Sequence, residues 1–215
     1  MSLFITFEGI EGSGKTTQIR RLAAALQSSG REVLVTREPG GCPIADAIRG
    51  ILLDPASAAL VPRAELLLYA AARAQHVDEV IRPALQAGQT VLCDRFIDAT
   101  VAYQGNGRGL DLDLIHDLNR LASGGARPDL TILFDLPAAA GLKRARRRNI
   151  VQSLQLEERF ERESLAFHSR VREGYLQLAQ RETRFRVVDA TGSEEEVAER
   201  VSAVVLEFFD KGAPA

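Results

Sequence analysis

Gly9-Ile10-Glu11-Gly12-Ser13-Gly14-Lys15-Thr16 follows an apolar run over residues 3–7 and opens a helix-period segment reaching residue 28. The octet satisfies GxxxxGK[ST], and its setting between a strand and a helix matters more than the letters. There the glycines can turn successive backbone amides toward a polyphosphate at the positive end of the helix. Lys15 would reach the β- and γ-phosphates, and the Thr16 hydroxyl would ligate Mg²⁺. The nucleotide-binding set is therefore Gly9, Ile10, Glu11, Gly12, Ser13, Gly14, Lys15, Thr16 and Thr17, with ATP and Mg²⁺ as the implied ligands. A guanine-specific enzyme would carry Asn-Lys-x-Asp, and none of Lys15, Lys143 or Lys211 is preceded by Asn.

Outward from the octet, strand-length apolar runs recur at 32–35, 90–93, 130–134 and 185–188. Helix-period segments separate them at 44–53, 63–87, 111–123, 138–147, 156–181 and 194–209, besides 15–28. Strands that alternate with helices predict an α/β fold, a parallel sheet covered on both faces. No Pro/Gly/Ser linker or repeat interrupts the series, so the reading is one domain over 1–215.

Composition narrows the function classes. The 215 residues carry 27 basic and 29 acidic side chains, a formal charge of −2, so no global field favours a nucleic-acid polymer or an anionic membrane. No run is long enough for a membrane span, and the N-terminus lacks the basic and apolar regions of a signal peptide. Cys42 and Cys93 are widely separated, and with three histidines they make no zinc spacing. The expectation is a cytoplasmic protein with reduced thiols. Its basic residues comprise 24 arginines and three lysines, and an arginine holds phosphate as a planar fork where a lysine is a point charge.

Two further runs sit at the carboxyl ends of expected strands, where open α/β sheets bind ligands. They are Thr36-Arg37-Glu38-Pro39-Gly40-Gly41 and Asp94-Arg95-Phe96, the latter followed by Thr100-Val101-Ala102-Tyr103-Gln104-Gly105. With Tyr69-Ala70-Ala71-Ala72-Arg73-Ala74-Gln75-His76, these runs resemble the bacterial thymidylate kinase family over nearly the whole chain.

That resemblance implies a three-layer P-loop kinase fold with a five-stranded parallel sheet, helices on both faces and a short mobile lid. It implies ATP as phosphate donor, dTMP as acceptor and a homodimer. Carried over by position, Tyr69 supplies an aromatic face to the thymine and Arg73 donates to its edge. Arg95 grips the acceptor phosphate, with Arg37, Pro39 and Arg49 on the same wall. Thr100 stands near the base, Tyr103 faces the carbon that bears a 2′-hydroxyl in ribonucleotides, Gln104 is a further substrate-binding residue, and Glu11 approaches the 3′-hydroxyl. Asp94 is the Walker B-like carboxylate near Mg²⁺, directly or through water. The i, i+4 spacing of Tyr69 and Arg73 places them on one helix face, where core packing and a solvated face are the bland alternatives. A kinase for another nucleoside monophosphate, or a regulatory P-loop ATPase acting on a partner protein, would share the same phosphate loop.

Between residues 143 and 172 nine basic residues meet four acidic ones. Lys143 and Arg144 suit a helix C-terminus, where cations gain ~0.3–1 kcal/mol. Three adjacent cations, Arg146-Arg147-Arg148, need another reason. The resemblance supplies one: a lid over about 146–158 that delivers arginine to the transferring phosphoryl group. Glu11-Gly12-Ser13-Gly14 contains no arginine, so the lid is the expected source, through Arg146, Arg148 or Arg159.

Overall fold

The computed structural model describes residues 2–152 and 159–210. Among these, five parallel strands form one sheet: β1 (Phe4–Glu8), β2 (Val33–Arg37), β3 (Thr90–Asp94), β4 (Leu130–Asp135) and β5 (Phe185–Asp189), in the order β2-β3-β1-β4-β5. β1 is buried along its whole length between β3 and β4, whereas the edge strands β2 and β5 alternate toward solvent. The continuous apolar runs at the centre and the mixed ones at the edges follow from that placement.

Helices cover both faces: α1 (Lys15–Ser28), α2 (Pro43–Leu53), α3 (Pro62–His76), α4 (Arg82–Gln86), α5 (Ile97–Thr100), α6 (Leu112–Ser123), α7 (Ala138–Gln152), α8 (Leu165–Arg181) and α9 (Glu194–Asp210). α1 and α9 enclose one apolar cluster with β1 and β4, from Leu3 and Ile5 to Val201 and Phe208. On the other face Phe4, Val77, Ile81, Val91, Cys93 and Phe96 form a second. The chain leaves β1 toward the β2 edge and later crosses from β3 to β4, so the connections after two adjacent strands diverge. Such divergence opens a crevice at the carboxyl ends of the strands.

Local chemistry explains the element ends. The Asp111 side chain accepts from the backbone N–H of Asp113 and Leu114, and Gly124 closes α6 in the left-handed region at φ 53°. Glu194, Glu195 and Glu196 stand in the first turn of α9, where the helix dipole favours them.

Three segments depart from the sequence reading. The segment 63–87 is helical but holds a π turn over Val77–Ile81 between α3 and α4. Pro83 follows at once; inside a regular helix its ring would strike the carbonyl four residues back, and the wider turn lies where that conflict would fall. The segment 156–181 was expected as one helix, but α8 begins at Leu165, because the Ser164 side chain caps it by accepting from Phe167 N–H. Finally, Val101–Gly107 forms a second π turn continuous with α5 and packed on α8, a segment to which periodicity assigned no element. No helix among the described residues is long and apolar enough to cross a membrane.

Candidate active site

The phosphate loop joins β1 to α1 by left-handed glycines, including Gly12 at φ 72° and Gly14 at φ 90°. Gly12 also lies against α7 so closely that a Cβ on it would meet the Gly141 carbonyl oxygen at 2.2 Å. A Cβ on Gly141 would in turn meet the Glu11 carbonyl oxygen at 2.5 Å, so Gly12 and Gly141 must both be side-chain-free for α7 to brace the loop. Lys15 is buried and donates to the carbonyls of Gly9 and Ile10, each at 3.0 Å, and to Ser13 Oγ at 3.3 Å. Burial, aided by the nearby charge of Arg95, lowers its ammonium pKa to about 8, against the pull of Asp94, Glu11 and Glu8. Thr16 Oγ1 donates to Asp94 Oδ2 at 3.0 Å, bringing a hydroxyl and a carboxylate from β1 and β3 connections together.

Directly after β3, Arg95 stands at φ 72°, the one non-glycine residue with positive φ among those described. A bulky side chain there is strained by about 1–3 kcal/mol, and the surrounding contacts hold it. Its backbone N–H donates to the Phe7 carbonyl at 3.0 Å, its Nη2 to Glu11 Oε1 at 3.1 Å, and its guanidinium lies 4.7 Å from the Tyr103 ring centroid. Tyr103 Oη donates to the same Glu11 oxygen at 2.6 Å. Burial alone would raise the Glu11 carboxyl, but the charges of Arg95 and His168 and the Tyr103 hydroxyl outweigh it and hold Glu11 well below the usual carboxylate range. An ionised carboxylate between an arginine and a tyrosine can accept further donors.

Arg73 is buried rather than solvated, and four contacts fix its fork. Nε donates to Glu38 Oε2 at 2.7 Å and Nη1 to Asn119 Oδ1 at 2.6 Å, while Nη2 donates to the Phe96 carbonyl and to Thr100 Oγ1, each at 3.0 Å. Glu38 in turn meets His76 Nδ1 at 3.0 Å, and His76 Nε2 lies 2.7 Å from Thr36 Oγ1. Tyr69 stands beside this network with its ring 6.5 Å from that of Phe160, which lies edge-on to Tyr103 at 5.6 Å. Burial, reinforced by Glu65, raises the Tyr69 phenol, so it remains a neutral ring with a hydroxyl.

One cavity of about 990 Å³ gathers Glu11, Gly12, Ser13, Gly14, Lys15, Thr16 and Thr17 with Arg37, Pro39, Arg49, Tyr69, Arg73, Asp94, Arg95, Thr100, Tyr103 and Gln104. Gly9 and Ile10 stand behind it as acceptors for Lys15. On its rim Arg37 donates to Asp46 Oδ1 at 3.0 Å and Arg49 to the Pro39 carbonyl at 2.9 Å. Gln104 donates to the buried Glu65 at 2.8 Å.

The basic segment divides. Arg159 is buried, with Nη2 at 2.6 Å from Glu65 and Nη1 donating to the Leu52 carbonyl at 3.1 Å, so its charge serves α3 and not the phosphate loop. Arg146 is exposed on α7 and is not among the described residues that line the cavity. The Arg148 side chain and residues 153–158 lie outside the described residues. Arg144, which the sequence reading left to the helix dipole, lines the far end of the cavity and donates to the Ala190 carbonyl at 3.0 Å.

Sequence reasoning also passed over Glu8, Glu38, Asn119 and His168. Glu8 ends β1, fully buried, and accepts from Phe96 N–H at 2.8 Å and Tyr175 Oη at 2.7 Å. Its place as the one acid of β1, closing an apolar strand, was the signal. Burial and the neighbouring Asp98 raise its carboxyl to about 8, against Tyr175, Arg95 and Phe96 N–H. The folded chain therefore keeps a proton that the unfolded chain releases near 4.5. The stability from that proton is complete below about pH 4.5 and lost as pH rises through 8. Glu8→Gln does not titrate and keeps both contacts, its amide oxygen accepting from Phe96 N–H and its NH2 donating to the Tyr175 hydroxyl, so its Tm relative to the parent should rise between pH 5 and pH 9 in thermal melts. An equal Tm difference at both pH values would contradict the protonated carboxyl.

The sequence model of the thymidylate kinase family matches residues 7–201. A thymidylate kinase of Syntrophotalea carbinolica is 63% identical over 202 residues, 94% of each chain, and one of Geobacter sulfurreducens is 62% identical over 207 residues, 96% of this chain and 97% of that one. The solved structure of a thymidylate kinase from Ehrlichia chaffeensis superposes with a TM-score of 0.75 at 35% identity, covering 95% of this chain and 98% of that one.

Proposed function

The chain belongs to the thymidylate kinase family, and from that premise we propose that it transfers the γ-phosphate of ATP to dTMP, giving ADP and dTDP for dTTP synthesis. The observation that carries this reading is the junction of Glu11, Arg95 and Tyr103. It joins the phosphate loop after β1 to the acceptor wall after β3 inside one cavity.

The acceptor phosphate is already anionic, so the attacking oxygen needs alignment and relief of repulsion rather than a strong base. Arg95 supplies both at the phosphate, seconded by Arg37 and Arg49. Tyr69 offers a ring face to thymine. Arg73 is held for its edge by Glu38 and Asn119 and keeps one Nη1 hydrogen beyond its four contacts. Tyr103, buried against Glu11, fills the space beside the sugar where a 2′-hydroxyl would stand. At the donor end Lys15 and the amides of Glu11–Thr17 hold the triphosphate, and Arg144, bonded to the Ala190 carbonyl, lines the same cavity. Thr16 and Asp94 fit Mg²⁺: they are two hard oxygen ligands in contact, and no group of three metal-binding side chains exists among the described residues. Mg²⁺ usually keeps waters and shares itself between one or two carboxylates and substrate phosphates. When bound it neutralises charge on the phosphates. Arg146 and Arg148 in a lid over 146–158 complete the neutralisation.

We place the enzyme in the cytoplasm with its nucleotide substrates, as a homodimer that needs no nucleic-acid polymer and no membrane. Support for the dimer comes from exposed apolar side chains on three neighbouring helices: Ile44 and Ile51 on α2, Leu67 on α3, and Leu114 and Leu121 on α6, with Leu121 78% exposed.

Steady-state kinetics with dTMP, dUMP, CMP, GMP and AMP test the assignment. A kcat/KM for dTMP at least about tenfold above each rival is expected; preference for another acceptor would replace the substrate. ATP hydrolysis stimulated by a partner protein, with no phosphorylated small molecule, would replace the reaction class.

A further inference from the structure

We propose that His168 is a positioning residue for the acceptor site, clamping the Glu11 carboxylate of the phosphate loop to the backbone of Phe160 across the cleft. The proposal rests on the dTMP kinase reading for its kinetic arm and on geometry alone for its spectroscopic one. His168 lies on α8, fully buried, and does not line the cavity, so it touches no substrate and acts through what it holds.

Its two ring nitrogens meet two acceptors. Nε2 is 3.0 Å from the Phe160 carbonyl, and a carbonyl only accepts, so Nε2 carries a proton. Nδ1 lies at ion-pair distance, 3.1 Å, from Glu11 Oε2, and both atoms are buried without a hydrogen-bond partner. Glu11 is held ionised, chiefly by the charge of Arg95. An unprotonated Nδ1 would aim a lone pair at a carboxylate. A proton on Nδ1 makes the contact attractive, which holds Oε2 and leaves Oε1 turned to Arg95 and Tyr103. At the other end Phe160 sets its ring against both Tyr69 and Tyr103. One histidine thus spaces the phosphate-loop wall and the aromatic wall of the same site.

Two near-isosteric variants separate the contacts. His168→Asn places an amide nitrogen near the Nδ1 position and keeps the donor to Glu11; His168→Gln places one near Nε2 and keeps only the donor to Phe160. His168→Gln should raise the dTMP KM about tenfold and leave the ATP KM within about twofold. His168→Asn should recover the dTMP KM to within about threefold of wild type, even where thermal melts show both variants equally destabilised. With Glu11→Gln present, His168→Gln should add no further rise. Both KM values rising together, or following Tm alone, or independent effects in the double variant, would each overturn the proposal. Nitrogen-15 NMR of the ligand-free protein should find Nδ1 of His168 protonated, with a resonance that Glu11→Gln shifts; a bare Nδ1 overturns the clamp. Absence of dTMP turnover in the wild type would sink the kinase reading instead, and the NMR result would still decide the contact.

Discussion

Lys15→Ala is expected to lower kcat by about 10³-fold, the scale seen when one preorganised donor to a developing phosphate charge is removed. The folded protein should survive the change. Lys15 lies outside the apolar clusters, and its ammonium is buried beside Arg95 at a cost, which is why its pKa falls to about 8. Alanine removes a poorly solvated charge and leaves the Gly9 and Ile10 carbonyls to water entering the cavity. The Tm should therefore hold or rise while turnover collapses, a division found where charge is kept for chemistry rather than for stability. Lys15→Arg should not rescue, because a planar fork cannot place three donors on two carbonyls and a hydroxyl as a point ammonium does. Steady-state kinetics and melts on the same samples check both halves; a kcat within tenfold of wild type would remove the phosphate-loop argument.

What could be read in advance depends on how far along the chain each cause lies. The octet at 9–16 was legible because a left-handed turn, a strand before it and a helix after it are all local, and the helix begins at Lys15 as expected. The sheet was legible for the same reason: central strands buried on both faces leave continuous apolar runs. The two π turns were not, since periodicity assumes 3.6 residues per turn and a π turn adds one. That blind spot fell on Tyr103 and Gln104, which were found by resemblance and not by pattern. Glu38, Asn119 and His76 were missed because nothing local marks a residue whose work is to hold an arginine 35 or more positions away, or to brace the one that does. Arg159 shows the converse. Its place in a basic run pointed to phosphate, while burial beside Glu65 gave it a structural partner that no charge count reveals. Ser164 was a readable cap that helical periodicity overran.

Arg95→Ala should lower kcat/KM for dTMP by about 10²–10³-fold, the loss expected on truncating one member of a buried, hydrogen-bonded charge pair. Part of that loss is the contact with the acceptor phosphate. The rest arises at Glu11, whose Oε1 keeps the Tyr103 hydroxyl but loses the guanidinium that does most to hold it ionised. The backbone gains little relief, because alanine at φ 72° is still in the left-handed region. The effect on ATP should have the opposite sign. The charge of Arg95 is, after burial, the main influence lowering Lys15. Without it Lys15 holds its proton more firmly and offers a fuller charge to the triphosphate, so ATP affinity should stay level or tighten. Titration calorimetry with each nucleotide alone, set beside the kinetics, separates the two effects. A parallel loss of ATP and dTMP binding would mean that Arg95 shapes the whole loop, and its role as the acceptor's own grip would fall.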